Sequence, residues 1–352
     1  MRVALDATPL TLSSGGLKRY VWELSRALAE NYPDSEFFLM SDQAFRAPQP
    51  GRRNLQCGAL PRTIFERRWW LWGLDREMRQ LNCEIFHGTN FEVPYLPLRP
   101  SVMTVHDLSP WMNPEWHGDA GRVRRRTPVA LGMGLGTMAI TPTEAVRRQV
   151  IERFRVSAGR VIAVPHGASE VFRPVEGPQA APYFLYVGAL EPRKNLAAVV
   201  DAWRSVRARH DVDLVLVGRR REDFPEFSPE PGLHVPGEVE DADLAKLYSG
   251  ALAFVYPSHY EGFGLPVLEA MQCGACVLIS NDAALREVAG DAGVALDGAA
   301  AWAEAMGAAA ENPAWVEEHR RKSLARAHQF SWKNTARQTW EVYEEAGRRF
   351  GD

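Results

Sequence analysis

At 352 residues the chain is long enough for two domains, and its 46% hydrophobic content suits a protein that buries sizeable cores. A formal net charge of −3 argues against a nucleic-acid partner, no apolar run approaches a membrane span, and the opening "MRVALDATPL" reads as a strand rather than a signal peptide. Four cysteines, Cys57, Cys83, Cys273 and Cys276, make no disulfide framework and point to a reducing cytoplasm. Charge is uneven: residues 1–170 carry 22 Lys and Arg against 17 Asp and Glu, and residues 171–352 carry 19 against 27. The electropositive half suits an anionic partner such as a lipid phosphate or a membrane surface, and equally suits compositional scatter.

Strand-like and helix-like runs alternate along the whole chain. "RVALDA" (2–7) leads through Gly15 and Gly16 into "LKRYVWELSRALAENY", whose apolar residues recur at helical spacing. Strands are expected at "EFFLM", "CEIFH", "SVMTVHD", "GTMAITP" and "RVIAVPHG". A helix follows Thr141, read as its cap, with Pro142 next and Glu144 closing a capping box. Between them, "ERRWWLWGLDREM" reads as a helix whose tryptophans pack into the first domain, with a membrane-pressing segment as the other option. "GASEVFRPVEGPQAAP" (167–182), rich in Gly, Pro and Ala, is the linker. A second block repeats the alternation with "YFLYVGAL", "VDLVLVG", "GLHVPG", "ALAFVYP" and "ACVLIS" as strands, and the tail is helical with a break near Phe330–Ser331. Such alternation in two blocks predicts an α/β protein with two doubly wound, Rossmann-like parallel sheets.

Four stretches carry chemistry, each where a strand hands over to a helix, the edge at which open parallel sheets bind ligands. "LSSGGLKRY" brings backbone close to a ligand at a helix start, though it equally suits a plain tight turn and is not the G-x-G-x-x-G fingerprint. "GALEPRKNL" places Arg193 and Lys194 before a helix capped by Asn195, a pair suited to a diphosphate or to a solvated turn. "SHYEGFGLPVLEA" sets Glu261 and Glu269 on either side of Gly262, Phe263, Gly264 and Leu265. The glycines free backbone N–H groups for a sugar or phosphate; Glu269, expected in the first helical turn, suits ribose hydroxyls, and Glu261 suits a second sugar. "TVHDLSP" puts His106 at a strand end, suited to a substrate hydroxyl, to proton traffic or to a purely structural place, beside Asp107, which orients it or caps the next helix. The acid pairs at 211–213 and 241–243 and the Cys273/Cys276 spacing are rejected as metal sites: one pair precedes its strand, the other caps a helix, and the cysteines follow a helix.

"GALEPRKNL", "VYPSHYEGFGLPVLEAMQCG" and "VIAVPHGASEVFRP", with "SSGGLKRY", "TVHDLSP" and "FSW" in the same order, resemble the retaining family-4 glycosyltransferases of GT-B fold over nearly the whole chain. The resemblance implies a cleft between two Rossmann-like domains, residues 1–168 on the acceptor side and 183–332 on the nucleotide-sugar side. It also implies a linker at 169–182 and a crossover helix at 333–352 that returns to the first domain. It implies Arg193 and Lys194 as the diphosphate clamp, Glu261 on donor-sugar hydroxyls, Glu269 on the ribose and Gly262–Leu265 as the sugar-contacting loop. His106 would lie over the donor sugar, with Gly15 and Gly16 near phosphates and acceptor. No metal or other cofactor is implied. Two departures stand out: Gly274-Ala275-Cys276 replaces the family's usual Gly-x-Pro, and "PHG" with His166 replaces its "PNG".

The expected function is transfer of a hexose from a nucleoside-diphosphate sugar, with retention, to a glycan or lipid-linked acceptor. The enzyme would be cytoplasmic, either peripheral at the membrane through Arg67, Arg68 and Arg124–Arg126 or wholly soluble with those arginines solvating helices. GDP-mannose is favoured as donor over UDP-sugars from likeness to bacterial mannosyltransferases. The alternatives are a GT-B epimerase, a phosphorylase, or a nucleotide-sugar binder without activity.

Overall fold

The structure, a computed structural model, describes residues 1–48, 53–63, 66–117, 120–176, 181–222 and 224–351. Short runs of Val, Ile, Leu and Phe form strands whose residues are buried almost throughout, as expected of parallel sheets covered by helices on both faces. The chain divides into two compact units, residues 1–167 with 331–352, and residues 168–330.

The first unit holds β1 (Arg2–Asp6), β2 (Glu36–Met40), β3 (Leu55–Cys57), β4 (Ile85–Gly88), β5 (Ser101–Thr104), β6 (Met138–Thr141) and β7 (Val161–Ala163). They form one parallel sheet in the order β3-β2-β1-β4-β5-β6-β7. Its helices are α1 (Gly16–Asn31), α2 (Leu74–Gln80), α3 (Ser109–Met112), α4 (Gly121–Gly132) and α5 (Glu144–Phe154), with a π-helical turn at Trp69–Gly73. The second unit holds β8 (Tyr183–Val187), β9 (Asp213–Val217), β10 (Leu233–Gly237), β11 (Ala253–Tyr256), β12 (Val277–Ser280) and β13 (Gly293–Leu296) in the order β10-β9-β8-β11-β12-β13. Around it run α6 (Leu196–Arg207), α7 (Asp241–Gly250), α8 (Leu265–Gln272), α9 (Ala283–Ala289), α10 (Gly298–Glu311) and α11 (Pro313–Ala327). In each sheet the strand order reverses beside the first strand, between β1 and β4 and between β8 and β11. Loops leaving the carboxyl ends of such neighbours diverge and open a crevice.

The last helix, α12 (Trp332–Gly351), packs on α1 and against β5 and β6 of the first unit. Trp340 stacks on Tyr32 at 4.0 Å, Thr335 Oγ1 donates to the Pro165 carbonyl at 2.7 Å, and Asn31 Nδ2 donates to the Lys333 carbonyl at 2.9 Å.

Several expectations change. Residues 168–176 are no free linker: Ala168 and Phe172 enter the second unit's core, and Val175 N donates to Ser249 Oγ at 3.1 Å. The linker's residues 177–180 lie outside the described residues, as does Asp352 at the end of the tail. Ser331 and Trp332, read as part of the second domain, belong with the first unit. The cap before α5 is Thr143, whose hydroxyl accepts from Val146 N at 3.2 Å, because β6 runs on to Thr141 and Thr143 itself keeps an extended backbone. The tryptophan stretch is a π-turn followed by a short α-helix; Trp69 is buried, Trp70 partly buried, and Trp72 exposed. The turn is close-packed, since a Cβ on Gly73 would lie 2.1 Å from the Glu66 carbonyl oxygen.

Candidate active site

In the second unit the loops after β8 and β11 carry the basic pair and the first glutamate, residues 67 apart in sequence that meet because their strands are neighbours. Lys194 Nζ donates to Glu261 Oε1 and, at 2.8 Å, to the Tyr256 hydroxyl. Arg193 Nη1 donates to the Tyr260 carbonyl at 2.6 Å and lies 3.3 Å from Glu261 Oε1, while its Nη2 binds Glu191 Oε1 at 2.8 Å. Lys194 and Glu261 are buried, 5% and 8% exposed, so the solvated-turn reading of the pair fails. Asn195 starts α6 through a left-handed backbone, φ 51°, and its side chain makes no capping bond.

The charges tune one another. Burial alone would raise the Glu261 carboxyl, but the Lys194 and Arg193 charges and the bonds from Lys194 and Ser258 outweigh it and hold it down at about 2. Burial lowers the Lys194 ammonium, and Glu261 opposes that shift. Burial, with Glu261 second, pushes the Tyr186 and Tyr256 hydroxyls well up. The result is a buried cluster at the sheet's switch point in which Lys194 and Arg193 share the Glu261 carboxylate and Arg193 also binds Glu191.

Gly264 has φ 88°, and a Cβ there would sit 2.5 Å from Leu285 Cδ2, so only glycine lets the loop turn into α8. The Phe263 ring is buried and meets Phe330 edge-on at 6.0 Å, leaving backbone as what that residue presents; Leu265 packs on the same core. Glu269 is the fifth residue of α8, just past the first turn where it was expected, because the helix begins at Leu265. It is buried, and the Tyr248 hydroxyl donates to its Oε2 at 3.2 Å.

In the first unit Gly15, with φ 108°, precedes α1 and Gly16 begins it. His106 leaves β5 half-buried, and its Nε2 lies 2.7 Å from the Thr89 carbonyl. A carbonyl only accepts, so Nε2 carries the proton and Nδ1 the lone pair. Burial lowers the imidazole's affinity for a second proton, against the pull of Thr89 and Asp107. Asp107 does not orient the ring. Its Oδ1 accepts from Ser109 N at 2.8 Å and Ser109 Oγ at 2.6 Å, which starts α3.

Among the described residues no group of three or more His, Cys, Asp or Glu is arranged to hold a metal ion. Asp213 instead binds Arg207 and His234, and Asp241 and Asp243 lie in the first turn of α7. Burial pushes the Cys273 and Cys276 thiols up to about 12.

Residues 14–171 match the family model for Glycosyltransferase Family 4, and residues 169–330 that for Glycosyl transferases group 1. An O-antigen chain mannosyltransferase B of Escherichia coli is 31% identical, covering 98% of this chain and all of its own. The chain belongs to the family-4 glycosyltransferases of GT-B fold. Two solved structures share the fold. A sucrose-phosphate synthase from Thermosynechococcus elongatus has TM-score 0.75 and 20% identity, covering 98% of both chains; Anabaena Alr3699/HepE in complex with UDP-glucose has 0.73 and 16%, covering 98% of this chain and 99% of that one. This glycosyltransferase is thus a hexosyltransferase, with a nucleotide sugar as donor and a glycan as acceptor.

The sequence reading missed the residues that hold the named ones in place. Glu191 binds both Arg193 and Arg221, and Tyr256 shares Lys194. Asp282 caps α9 from Ala284 N and Leu285 N, and burial raises it to about 6. Glu191 lies inside the quoted motif and Tyr256 inside the quoted strand, so position alone marked them. In the first unit Asp6, at the end of β1, is buried, accepts from Thr8 N and Oγ1, and is raised to about 6, chiefly by burial.

Proposed function

We propose that the enzyme transfers mannose from GDP-mannose, with retention and without a metal ion, to a lipid-linked or polymeric glycan. The observation that carries the donor side is the buried Arg193–Lys194–Glu261 cluster at the switch point of the second sheet. The two cations stabilise charge growing on the diphosphate leaving group, the main electrostatic task of such a reaction. A carboxylate held at about 2 is a feeble base and nucleophile, so Glu261 serves to accept hydrogen bonds from donor-sugar hydroxyls. Attack then comes from the face the diphosphate leaves, with a leaving-group oxygen taking the acceptor's proton. Glu269 accepts from the ribose, Gly262–Leu265 presents backbone to the sugar, Gly15 and Gly16 serve phosphates and acceptor, and the Nδ1 lone pair of His106 accepts a substrate hydroxyl.

The mannosyl choice draws on the named activity of the E. coli relative. The acceptor side draws on charge and shape. A groove of about 250 Å³ lined by apolar residues such as Phe91, Val93 and Val129, and by Arg125, Arg126 and Glu92, suits a largely apolar acceptor with an anionic group at the arginines. Among the described residues no helix is long and apolar enough to cross a membrane. Peripheral attachment would rest on exposed Arg67, Arg68, Arg125 and Trp72. Arg124 drops out of the basic run because it binds the Pro110 and His117 carbonyls.

The test is donor turnover. GDP-mannose, UDP-glucose and ADP-glucose are each incubated with an acceptor extract, nucleoside diphosphate is measured, and the product's anomeric configuration is read by NMR. The proposal expects release from GDP-mannose with an α-linked product, and Lys194→Ala lowering kcat by about 10²–10³. Turnover of UDP-glucose alone overturns the donor, and donor binding without release under any acceptor overturns catalysis.

A further inference from the structure

Four rings of the first unit meet around His106. Tyr20 of α1 sets its ring at 4.8 Å and 86° to the imidazole, and His166 lies 4.7 Å from Tyr20 and 6.0 Å from His106. Trp332, the first residue of α12, stacks on His166 at 5.7 Å and 18° and reaches Tyr20 at 6.1 Å. Phe91 closes the remaining side at 6.1 Å. His166, one of the two departures from the family's motifs, is therefore the middle of a stack that runs from the last helix to His106.

The stack is held at both ends. A Cβ on Gly167 would lie 2.3 Å from Trp332 N, so glycine beside His166 is what lets α12 begin flush against the imidazole. Tyr20 is fixed from the other direction by a buried chain: its hydroxyl lies 2.9 Å from Thr104 Oγ1, Thr104 Oγ1 2.8 Å from His87 Nε2, and His87 Nδ1 2.7 Å from the Tyr343 hydroxyl of α12. Thr89, whose carbonyl takes the His106 proton, is itself anchored by donating its hydroxyl to the Asp6 carbonyl at 2.7 Å.

We propose that His166 and Tyr20 are positioning residues for His106, buttressed by Trp332, and that they hold its imidazole in the single Nε2–H tautomer and rotamer. The proposal rests on the role given above to the His106 lone pair. A smaller residue at 166 would open space for water and for rotation of the ring, and Nδ1 would no longer be reliably presented. The groups facing His106 are Asp107 on its own loop, Tyr20 from α1, His87 from β4 and His166 after β7. Burial lowers His87 to about 3 and His166 well below its ordinary value, and raises Tyr20 above its own, so these three are uncharged near neutrality. The fourth, Asp107, accepts from Ser109 N and Oγ rather than from the imidazole.

The test reads His106 directly by imidazole ¹⁵N NMR on the full chain, comparing wild type with His166→Asn, His166→Phe and Trp332→Leu. Wild type should show one Nε2–H tautomer titrating below the ordinary histidine value. His166→Asn should mix the tautomers and raise the midpoint, moving the acid limb of kcat to higher pH and lowering kcat about tenfold with donor KM within twofold. His166→Phe should restore the wild-type spectrum, since it returns the ring, and Trp332→Leu should mimic His166→Asn. An unaltered His106 tautomer and midpoint in His166→Asn overturns the proposal even if that variant is less stable, and so does a Phe variant as perturbed as the Asn one. His106→Ala with wild-type turnover would instead remove the premise, an outcome the spectra do not share.

Discussion

Lys194 and Glu261 form a buried ion pair that ties the loop after β8 to the loop after β11. Removing Glu261 leaves the buried Lys194 ammonium with only the neutral Tyr256 hydroxyl, which costs about 3–5 kcal/mol, whereas removing Lys194 costs less because Arg193 stays 3.3 Å from the Glu261 carboxylate. Glu261→Leu should lower the melting temperature markedly, and Lys194→Met by less. The double variant should lose less than the sum of the two, since neither charge is then left alone. Calorimetric melts of the four proteins check this, and strict additivity would mean that the pair is not coupled.

The same pair sets the behaviour in acid. The Glu261 carboxyl, at about 2 when folded, binds protons more weakly than when unfolded, near the ordinary 4.5. Its contribution to stability is therefore complete above about pH 4.5 and is lost as pH falls toward 2. Glu261→Gln should flatten the stability profile across that window, as read by urea unfolding at a series of pH values. A profile in the variant as steep as in wild type would assign the loss to other carboxylates.

Asp6 works in the opposite sense. Folding raises its carboxyl from 3.8 to about 6, first through burial and with Glu92 and Asp42 adding to it. The stability it contributes is present below about pH 4 and is lost as pH rises through 6. Asparagine keeps the acceptor oxygen that Thr8 N and Oγ1 use and cannot ionise. Asp6→Asn should therefore gain on wild type from pH 4 to pH 7.5. An equal difference between the two proteins at both pH values refutes the buried-charge account.

Much of this is legible in the sequence. Strands such as Tyr183–Val187 and Ala253–Tyr256 are buried on both faces and read as unbroken apolar runs, so the two-sheet fold followed from periodicity. The strands that escaped notice, Leu55–Cys57 and Gly293–Leu296, sit at sheet edges with partly exposed residues, where a run need not be apolar. Arg193 and Lys194 announced themselves by charge at a strand-to-helix turn, but their pairing with Glu261 depends on β8 and β11 being neighbours, and that adjacency is not local. The depth of Glu269 turned on one residue of helix start. Thr143 likewise outcompeted Thr141 because its hydroxyl meets Val146 N.

Gly264 marks where backbone, not side chain, sets the loop. Alanine there meets both a left-handed φ and the Leu285 methyl, a strain on the order of 1–3 kcal/mol. Gly264→Ala should lower the melting temperature and displace Glu261 and Gly262 together, so donor KM rises along with a fall in kcat. Wild-type steady-state kinetics in a folded Gly264→Ala protein would show that the loop's turn is not needed for donor binding.

The last helix belongs to the first unit's core, and this predicts how the protein melts. Trp332, Ala336, Val342, Tyr343 and Ala346 are all buried, and Tyr343 sits on His87, whose imidazole is lowered to about 3 by burial. Removing residues 331–352 would strip that face from α1, β5 and β6 and leave His87 Nδ1 without its Tyr343 partner, whereas the second unit's core is built from residues 168–330. Truncation after Phe330 should therefore abolish the cooperative melting of the first unit while the second unit keeps its own transition. The point substitution Tyr343→Phe should reproduce a small part of the effect, about 1–3 kcal/mol for a buried nitrogen left unsatisfied. Differential scanning calorimetry resolves the two units, and added nucleoside diphosphate should, on the proposed function, mark the second by shifting its transition upward. Loss of the nucleotide-shifted transition on truncation would place the helix in the second unit's stability instead.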